Sequence, residues 1–532
     1  MNMALRIFLL PLLSGTLYWL SSPAGSFPLA VWCCLVPLGF SLSRTSPGKG
    51  LAAGFVYGFL IWLVSVWWLK ISLSHMAGLP PWQAWCGVIL FCAFYALPYA
   101  LWGWLAGRFR LLESHTGTWF AAATLVVIRT WYPHVFPGSE AHNLYVLPLF
   151  LQVLDLGGAP LLLFFIYLVN LQIVRIFTAR RSASSPLPAL LTIAAAFVFL
   201  AAYGGYRLQT LHAQMETAAP GRQMTVISIQ PNIPIGREYR EDVPPADRGN
   251  DVHTALAMSA EAARLHPAAE LIVWPENPSF YDCHSEVRRD IFPLARQTCK
   301  AVMLPCTSVS ADKGKSARYQ SVHVIGKDGP MGGEYRKLIL MPFGEYLPLE
   351  KQFPFLRKIF PGVMNYEAAN RGEALYDFGR NRRLYPALCY ESIFTGHSRR
   401  FVEQGGNVLI NMIDDAWYGK SPASLIHMSL ALFRTVEYRI PFVAVNNAGV
   451  GLFVQPTGEI VPGSRTPLFQ KAATAHRLYI PPERSPYARW GDAFLYGLTA
   501  LFILGLVGLC LSRYSVRAKG ISKNDFMTKQ SP

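Results

Sequence analysis

The chain has 532 residues, of which 52% are hydrophobic and only 15% are charged. Soluble globular proteins carry about 25% charged residues, so this composition argues against an ordinary water-soluble enzyme and favours a membrane protein. The formal net charge is +16 at pH 7. Because the chain is so apolar, we attribute the basic excess to Lys and Arg that flank membrane spans rather than to a nucleic-acid-binding surface.

Long apolar stretches predict an α-helical membrane bundle of about eight transmembrane helices, because a helix needs about 20 apolar residues to cross a bilayer. The predicted spans lie at residues 4–21, 27–43, 51–71, 84–106, 118–135, 159–178, 187–204 and 493–512. The first could instead be a signal peptide. We interpret it as a retained helix, because another span follows at once and no small-residue cleavage site separates the two.

The basic residues predict the orientation of these spans. Lys and Arg follow the second, fourth and sixth spans and fill the C-terminal tail, whereas the loops near 22–26, 72–83 and 136–158 contain neither. Positive charge marks the cytoplasmic side, so both termini are expected in the cytoplasm. The long segment that follows the seventh span is then expected outside the cytoplasmic membrane.

This orientation predicts four parts: a seven-helix membrane domain at 1–204, an extracytoplasmic domain at 205–490, a C-terminal transmembrane helix at 491–512 and a basic cytoplasmic tail at 513–532. The second part alternates β-rich runs with helical stretches, which is typical of an α/β domain whose sheets are covered by helices. The predicted strands are 224–229, 271–274, 301–304, 321–325, 408–412 and 442–446, and the predicted helices include 255–265 and 424–439.

Polar motifs follow several of the predicted strands, and three of them supply reactive side chains. Glu276 could merely cap a helix, Lys337 could be a solvated strand end, and Cys389 could be an inert buried thiol. Together they form a complete set for acyl transfer through a thioester. The carboxylate can take the thiol proton, and the ammonium can stabilise the thiolate and the developing oxyanion.

The cysteines indicate neither a metal site nor a redox motif. None of the nine forms a CxxC pair, so no cofactor or metal is expected. Cys283, Cys299 and Cys306 lie close together in the predicted outer domain, where an oxidising compartment would favour pairing. We predict a disulfide among these three residues and a free thiol at Cys389.

The outer domain resembles the carbon-nitrogen hydrolase, or nitrilase, superfamily. The resemblance rests on WPE at 274–276, YRKLILMPFGEYLP at 335–348, CYE at 389–391 and DDAWYGKS at 414–421. With seven predicted spans before this domain and one after it, the whole chain resembles the apolipoprotein N-acyltransferase family. The resemblance implies a nitrilase-like αββα sandwich tethered to a helical membrane bundle.

The resemblance also implies a reaction. Glu276 would be the general base, Lys337 would stabilise the tetrahedral intermediate, and Cys389 would be the nucleophile. An acyl chain would pass from a phospholipid, with phosphatidylethanolamine the expected donor, to Cys389 and then to the diacylglyceryl-cysteine of a lipoprotein. The expected enzyme is a monomer in the bacterial inner membrane that contacts membrane lipid and no nucleic acid.

Further roles are implied by the same motifs. The supporting residues would be Glu345, Tyr390 and Glu391, and the substrate-binding residues would be Tyr239, Phe343 and Trp417. Two positions depart from the family pattern: Tyr239 replaces a common Trp, and Ala416 replaces a common Gly. An alanine would be strained at position 416 if that position requires a positive φ.

Several alternatives remain open at this stage. The same triad could serve a membrane-tethered amidase or a related acyltransferase with another acceptor, and a transporter or scaffold would need no triad. Arg129 lies inside a predicted span, so it would reach the outer interface by snorkelling or bind a lipid phosphate. The apolar stretch 351–364 could dip into lipid as an arm or pack in an ordinary core.

Overall fold

The computed structural model describes residues 5–179, 185–234, 245–276, 283, 287–312, 315–370 and 374–528. Within these ranges, residues 5, 245–251, 287–288, 311–312, 315–316 and 512–528 are described by their backbone alone. Tyr239 lies outside the described residues, so its predicted contact with substrate stays a prediction.

The first part of the chain is helical. Its α-helices are α1 (Leu10–Ser21), α2 (Val36–Leu42), α3 (Pro47–Val66), α4 (Leu69–His75), α5 (Pro81–Phe109), α6 (His115–Trp131), α7 (Pro148–Leu151), α8 (Leu154–Ala179) and α9 (Leu187–Glu216). Within the described ranges, five helices are long and apolar enough to cross a membrane: α3, α5, α8, α9 and the segment 493–511 near the C-terminus. The other three predicted spans contain shorter helices, α1, α2 and α6.

Glycines allow two of the long helices to pack backbone against backbone. A Cβ atom added to Gly54 of α3 would lie 2.1 Å from the carbonyl oxygen of Tyr99 on α5. One turn away, a Cβ atom on Gly50 would lie 2.3 Å from the carbonyl oxygen of Gly103. Because lipid gives helices no hydrophobic reason to associate, such close van der Waals packing is what holds a membrane bundle together.

The outer domain contains two β-sheets. Its strands are β1 (Gln223–Gln230), β2 (Leu271–Val273), β3 (Ala301–Asp312), β4 (Lys315–Gly326), β5 (Gly329–Pro330), β6 (Tyr335–Arg336), β7 (Tyr376–Asp377), β8 (Arg383–Leu388), β9 (Val408–Ile413), β10 (Phe442–Asn446), β11 (Leu452–Val454) and β12 (Ala472–Tyr479). One sheet has the order β12-β1-β2-β3-β4-β5 with β6 beside β4, and the other has the order β11-β10-β9-β8-β7.

Helices complete the domain. They are α10 (Pro245–Leu265), α11 (Phe292–Thr298), α12 (Leu356–Ile359), α13 (Thr395–Glu403), α14 (Ala423–Tyr438) and α15 (Pro486–Trp490). The last helix, α16 (Ala493–Thr528), follows the domain and contains the apolar segment 493–511. Alternate residues of β1 face opposite ways: Val226 joins the core shared with the second sheet, whereas Ile227 packs in the core beneath α10 and α11. With α14 packed against β10 on the far side, the layers run helix, sheet, sheet, helix. The nitrilase-like sandwich predicted from the sequence is confirmed.

Two helices, α9 and α16, extend beyond the predicted spans. α9 continues from residue 204 to Glu216, and α16 runs through the predicted tail to Thr528. Apolar composition marks only the part of a helix that suits lipid, whereas residues such as Leu, Gln, Ala and Met continue the helix in any solvent. Helix ends and span ends are therefore different boundaries.

A buried ion pair ties the membrane helices to the outer domain. Arg439, at the end of α14, donates to Asp155 Oδ2 at 3.0 Å from Nε and at 2.6 Å from Nη2. The same carboxylate accepts from Tyr203 at 2.6 Å and from Arg207 at 2.9 Å. Asp155 has no exposed surface, so these donors replace its water. The pair fixes α8 and α9 against the helix that covers the second sheet.

Arg129 makes a second buried ion pair, and this finding overturns the snorkelling interpretation. The guanidinium is buried and pairs with Glu140, which also accepts a hydrogen bond from Tyr167 at 2.8 Å. It donates to the Gly138 carbonyl oxygen at 2.6 Å as well. In the sequence, Glu140 lies in a loop outside the predicted span. The structure brings this loop against α6, which places Glu140 beside Arg129.

We expect Asp155→Asn to destabilise the protein by about 3–5 kcal/mol, because the change leaves a buried guanidinium without its counter-charge. Thermal unfolding in detergent would measure the effect as a lower Tm. Glu261→Gln is the control, since it removes a carboxylate from an exposed i,i+3 pair with Arg264. A Tm for Asp155→Asn equal to that of the control would contradict the role of this ion pair.

Candidate active site

Three strand ends carry the side chains of the site. Glu276 follows β2, Lys337 follows β6, and Cys389 follows β8. Trp274 fixes the first of these ends, because its backbone N–H donates to the Met303 carbonyl oxygen at 3.0 Å and its indole to Ser259 on α10 at 2.9 Å. The structure therefore places on neighbouring strand ends three groups that are spread over more than 100 residues of sequence.

Lys337 lies at the centre of this arrangement. Its ammonium nitrogen is 3.0 Å from Glu276 Oε1 and 2.5 Å from Glu345 Oε1, and the residue is 1% exposed. Burial alone would lower the pKa of Lys337, but the charges of Glu276 and then Glu345 outweigh burial, so the pKa is raised above its ordinary value. The lysine is therefore a fixed cation that can stabilise negative charge on a bound substrate.

Glu345 anchors the lysine from the opposite side. Its second oxygen accepts the backbone N–H of Met341 at 2.8 Å, so the carboxylate is held by its own loop. Burial raises the pKa of Glu345 even though Lys337 opposes the shift. Two carboxylates share one ammonium here. After burial, the charge of Glu276 has the largest effect on the pKa of Cys389, which it raises.

Glu391 organises the backbone around the triad. Its Oε1 accepts the N–H groups of Leu338 at 2.6 Å and Ile339 at 3.0 Å, which directly follow the triad lysine. Its Oε2 accepts from the Leu388 N–H at 2.9 Å and the Tyr335 hydroxyl at 2.6 Å. One buried carboxylate thus joins the strand that ends at the lysine to the strand that ends at the cysteine. Its supporting role in the reaction stays a prediction.

Cys389 opens a turn of 3-10 helix in an uncommon conformation. Its φ is +49°, a left-handed value that costs a residue with a side chain about 1–3 kcal/mol. The thiol is free and buried. Burial, and then the charge of Glu276, raise the pKa of Cys389 well above its ordinary value, although Lys337 opposes them. Burial and the charge of Glu276 therefore favour the protonated thiol over the thiolate.

Two residues that sequence reasoning did not select hold the other side of the cysteine. His427 Nε2 lies 3.1 Å from the Cys389 carbonyl oxygen, and its Nδ1 lies 3.0 Å from Asp415 Oδ1. Asn411 Nδ2 donates to the same carbonyl oxygen at 3.2 Å. Asn411 lies in β9 and Asp415 lies in the motif that follows this strand, whereas His427 comes 12 residues after Asp415, on α14. In the sequence it is a lone histidine within the predicted helix at 424–439.

The remaining predicted site residues surround this centre. The Tyr390 hydroxyl donates to the carbonyl oxygen of Val135 in the membrane domain, and its ring lies 5.9 Å from that of Phe136. Trp417 is buried in the turn that follows β9. Phe343 is 37% exposed and lies 5.2 Å from the ring of Phe360, so it is open to a ligand.

The alanine at position 416 is not strained. Ala416 lies in a turn of 3-10 helix at Asp415–Tyr418, and its φ is not positive. The residue that adopts a left-handed φ, +58°, is Gly419 just after the turn. An alanine at this position therefore carries no strain from a left-handed backbone.

Two groups of side chains are close enough for a metal ion among the residues that the structure describes. Cys283 and Cys306 approach His323, but the two cysteines form a disulfide. That bond confirms the predicted pairing, and Cys299 stays free and exposed. The other group is Cys389, Asp415 and His427. Both nitrogens of that histidine are already hydrogen-bonded, so we interpret the group as a positioned thiol rather than a metal site.

Comparisons with known proteins agree with this architecture. Residues 225–472 match the carbon-nitrogen hydrolase family, and residues 14–172 match the N-terminal domain of apolipoprotein N-acyltransferases. The chain is 31% identical to the apolipoprotein N-acyltransferase of Geobacter metallireducens, over 93% of this chain and 94% of that protein. It is 27% identical to the Bdellovibrio bacteriovorus enzyme of the same name, over 84% and 83% of the two chains.

Two solved structures each match about half of the chain. An amidase from Nesterenkonia sp. is 15% identical, with a TM-score of 0.36, and the match covers 53% of this chain and 97% of that one. A carbon-nitrogen hydrolase from Helicobacter pylori G27 is 16% identical, with a TM-score of 0.37, and the match covers 49% and 90%.

We expect Glu391→Gln to lower both Tm and the reactivity of Cys389. The amide nitrogen of glutamine would face N–H and O–H donors, and each buried donor left without an acceptor costs about 1–3 kcal/mol. Glu403→Gln, an exposed change at the end of α13, is the control. A stable Glu391→Gln protein with normal labelling of Cys389 would show that the carboxylate does not organise the triad.

The raised pKa of Cys389 makes alkylation of this residue pH-dependent. We expect labelling by iodoacetamide, followed by mass spectrometry on the peptide that contains Cys389, to keep rising above pH 8.5, the pKa of an ordinary thiol. Glu276→Gln removes a negative charge that raises the pKa, so half-labelling should occur at lower pH. An unchanged or higher half-labelling pH, against Glu403→Gln as control, would refute the coupling of Glu276 to Cys389.

Proposed function

The chain belongs to the apolipoprotein N-acyltransferase family, and we propose that it moves an acyl chain from a phospholipid to the N-terminal diacylglyceryl-cysteine of a lipoprotein. The observation that carries the proposal is the contact of Glu276 and Lys337 in a buried site that also holds Cys389. Family membership and the apolar helices indicate a multi-pass protein of the bacterial inner membrane. The donor that we propose is phosphatidylethanolamine, and the enzyme is proposed to act as a monomer.

In the first half-reaction, Cys389 attacks the ester carbonyl carbon of the phospholipid. Its thiol proton passes to Glu276, and the oxyanion that forms is stabilised by the Lys337 ammonium. When the intermediate collapses, the C–O bond breaks and the glycerol oxygen takes the proton from Glu276. The products are a lysophospholipid and a thioester at Cys389.

In the second half-reaction, the α-amine of the lipoprotein attacks the thioester. Glu276 takes a proton from the amine as the new C–N bond forms, and the same lysine stabilises the second oxyanion. The C–S bond then breaks, and the sulfur of Cys389 recovers its proton. Both substrates use the same triad in turn, so the proposed mechanism is ping-pong.

The surroundings of the site suit two lipid substrates. The stretch that includes α12 exposes Phe353, Phe355 and Ile359, whereas Val363 packs with Ala77 and Leu79 of the membrane domain. One face of this stretch therefore packs as an ordinary core would, and the other face is open. We propose that the open face enters the bilayer beside the site as an interfacial arm.

The proposed orientation places the outer domain on the extracytoplasmic side, with both termini in the cytoplasm. The disulfide between Cys283 and Cys306 supports this orientation, because disulfides persist in oxidising compartments. The positions of Lys and Arg in the loops support it independently. The four-part division at 1–204, 205–490, 491–512 and 513–532 is retained as part of the proposal.

A transfer assay tests the proposal. Purified protein in mixed micelles with phosphatidylethanolamine and a synthetic S-diacylglyceryl-cysteinyl peptide should yield N-acyl peptide and lysophospholipid in equal amounts. Cys389→Ser should reduce the rate by at least about 10³-fold, because a hydroxyl is a much weaker nucleophile here than a thiol. Mass spectrometry would follow both products.

Cys299→Ser is the matched control, since this exposed thiol lies in the same domain and is free. It should retain the wild-type rate. Release of free fatty acid without N-acyl peptide would show that water is the acceptor and would favour an amidase-like hydrolase. Wild-type transfer by Cys389→Ser would refute the thioester mechanism.

A further inference from the structure

We propose that His427 is a positioning residue: a buried imidazolium that holds the backbone of Cys389 and neutralises Asp415 beside the thiol. The inference deepens the proposed function, on which its catalytic meaning rests. No residue of the Glu-Lys-Cys triad supplies this role, because Lys337 is occupied by two carboxylates of its own.

The hydrogen-bond partners of His427 define its charge. A neutral imidazole has one N–H and one lone pair, whereas an imidazolium has two N–H groups. Nδ1 faces an oxygen of Asp415 at 3.0 Å, and Nε2 faces the Cys389 carbonyl oxygen at 3.1 Å. Both partners accept when Asp415 is ionised, so both nitrogens must donate.

Asp415 is held in its ionised form. Its other oxygen accepts from the Ser424 hydroxyl at 2.6 Å and from the Asn446 amide at 2.7 Å. Burial opposes ionisation, but His427 and these hydrogen bonds outweigh it, and the pKa of Asp415 is lowered. In the same way, burial would lower the pKa of His427, but the charge of Asp415 prevails and raises it.

The ion pair lies next to the nucleophile. The Cys389 sulfur, a carboxylate oxygen of Asp415 and a ring nitrogen of His427 lie within 4.8 Å of one another. Negative charge on Asp415 raises the pKa of Cys389, as the charges of Glu276 and Glu345 also do, and Lys337 acts in the opposite sense. Without the imidazolium, Asp415 would be an uncompensated anion beside a sulfur that must itself become negative.

The same histidine constrains the conformation of the cysteine. Cys389 has a φ of +49°, and its carbonyl oxygen is held by both His427 and Asn411. Because α14 is packed between the second sheet and the membrane domain, the imidazole reaches the carbonyl from a rigid helix. The side chain thus fixes the direction from which the sulfur approaches its substrate.

The test is the pH profile of Cys389 alkylation in the full-length protein, with iodoacetamide as the probe. His427→Gln is neutral and retains an N–H donor, so it separates charge from shape. Half-labelling should move up by about one pH unit or more, which is about a tenfold loss of thiolate at a given pH. In the transfer assay, kcat should fall by a similar factor while KM for phosphatidylethanolamine is unchanged. His476→Gln, a half-buried histidine on β12, should match the wild type.

A double variant tests the cause. His427→Gln combined with Asp415→Asn removes both charges, so the labelling profile should return towards that of the wild type. Asp415→Asn alone should shift half-labelling to lower pH, and this variant keeps the test available if His427→Gln fails to fold. A wild-type profile in His427→Gln, or no recovery in the double variant, would overturn the proposal. Because labelling needs no lipid, a failed transfer assay with the shift intact would refute the proposed function alone.

Discussion

The site depends on one buried ammonium. Lys337 is almost entirely removed from water, which is costly for a charge unless carboxylates and hydrogen bonds replace its hydration. Glu276 and Glu345 do so, and in return the lysine holds both carboxylates in fixed positions. A charge that is already oriented needs no reorganisation when an oxyanion forms, so the same interaction that makes burial tolerable also prepares the site for acyl transfer.

The membrane bundle takes part in this site and does more than tether it. Tyr390, next to the proposed nucleophile Cys389, donates to the backbone of Val135 in the membrane domain, and Arg439 joins the covering helix α14 to Asp155 on α8. α14 also carries the histidine that holds the cysteine. Because buried polar contacts permit few alternative arrangements, the outer domain has a defined position against the membrane helices. In the proposed mechanism, this position brings the lipid substrates to a thiol that is itself buried.

Local sequence patterns predicted much of this architecture. Short β-rich runs located β1, β9 and β10, and the motifs that follow the strands made Glu276 and Cys389 candidate site residues, because both signals are confined to a few consecutive residues. The ion pairs could not be predicted in this way. Arg129 and Glu140 are brought together by tertiary folding, so the sequence alone suggested that the arginine reaches the interface. His427 was missed for the same reason, since its partners lie on other elements. The number of membrane-crossing helices could not be predicted from apolar stretches alone. The stretch at 27–43, for example, contains only short helices such as α2.

The central claim is that an acyl group resides on Cys389 before any acceptor arrives. The most direct measurement is intact-protein mass spectrometry after the purified enzyme is mixed with phosphatidylethanolamine and no peptide. The account predicts a mass gain of one acyl chain, which hydroxylamine removes and which Cys389→Ser does not show. A fully folded wild-type protein that transfers acyl chains to peptide but never acquires this adduct would contradict the account, because it would require direct transfer between the two substrates.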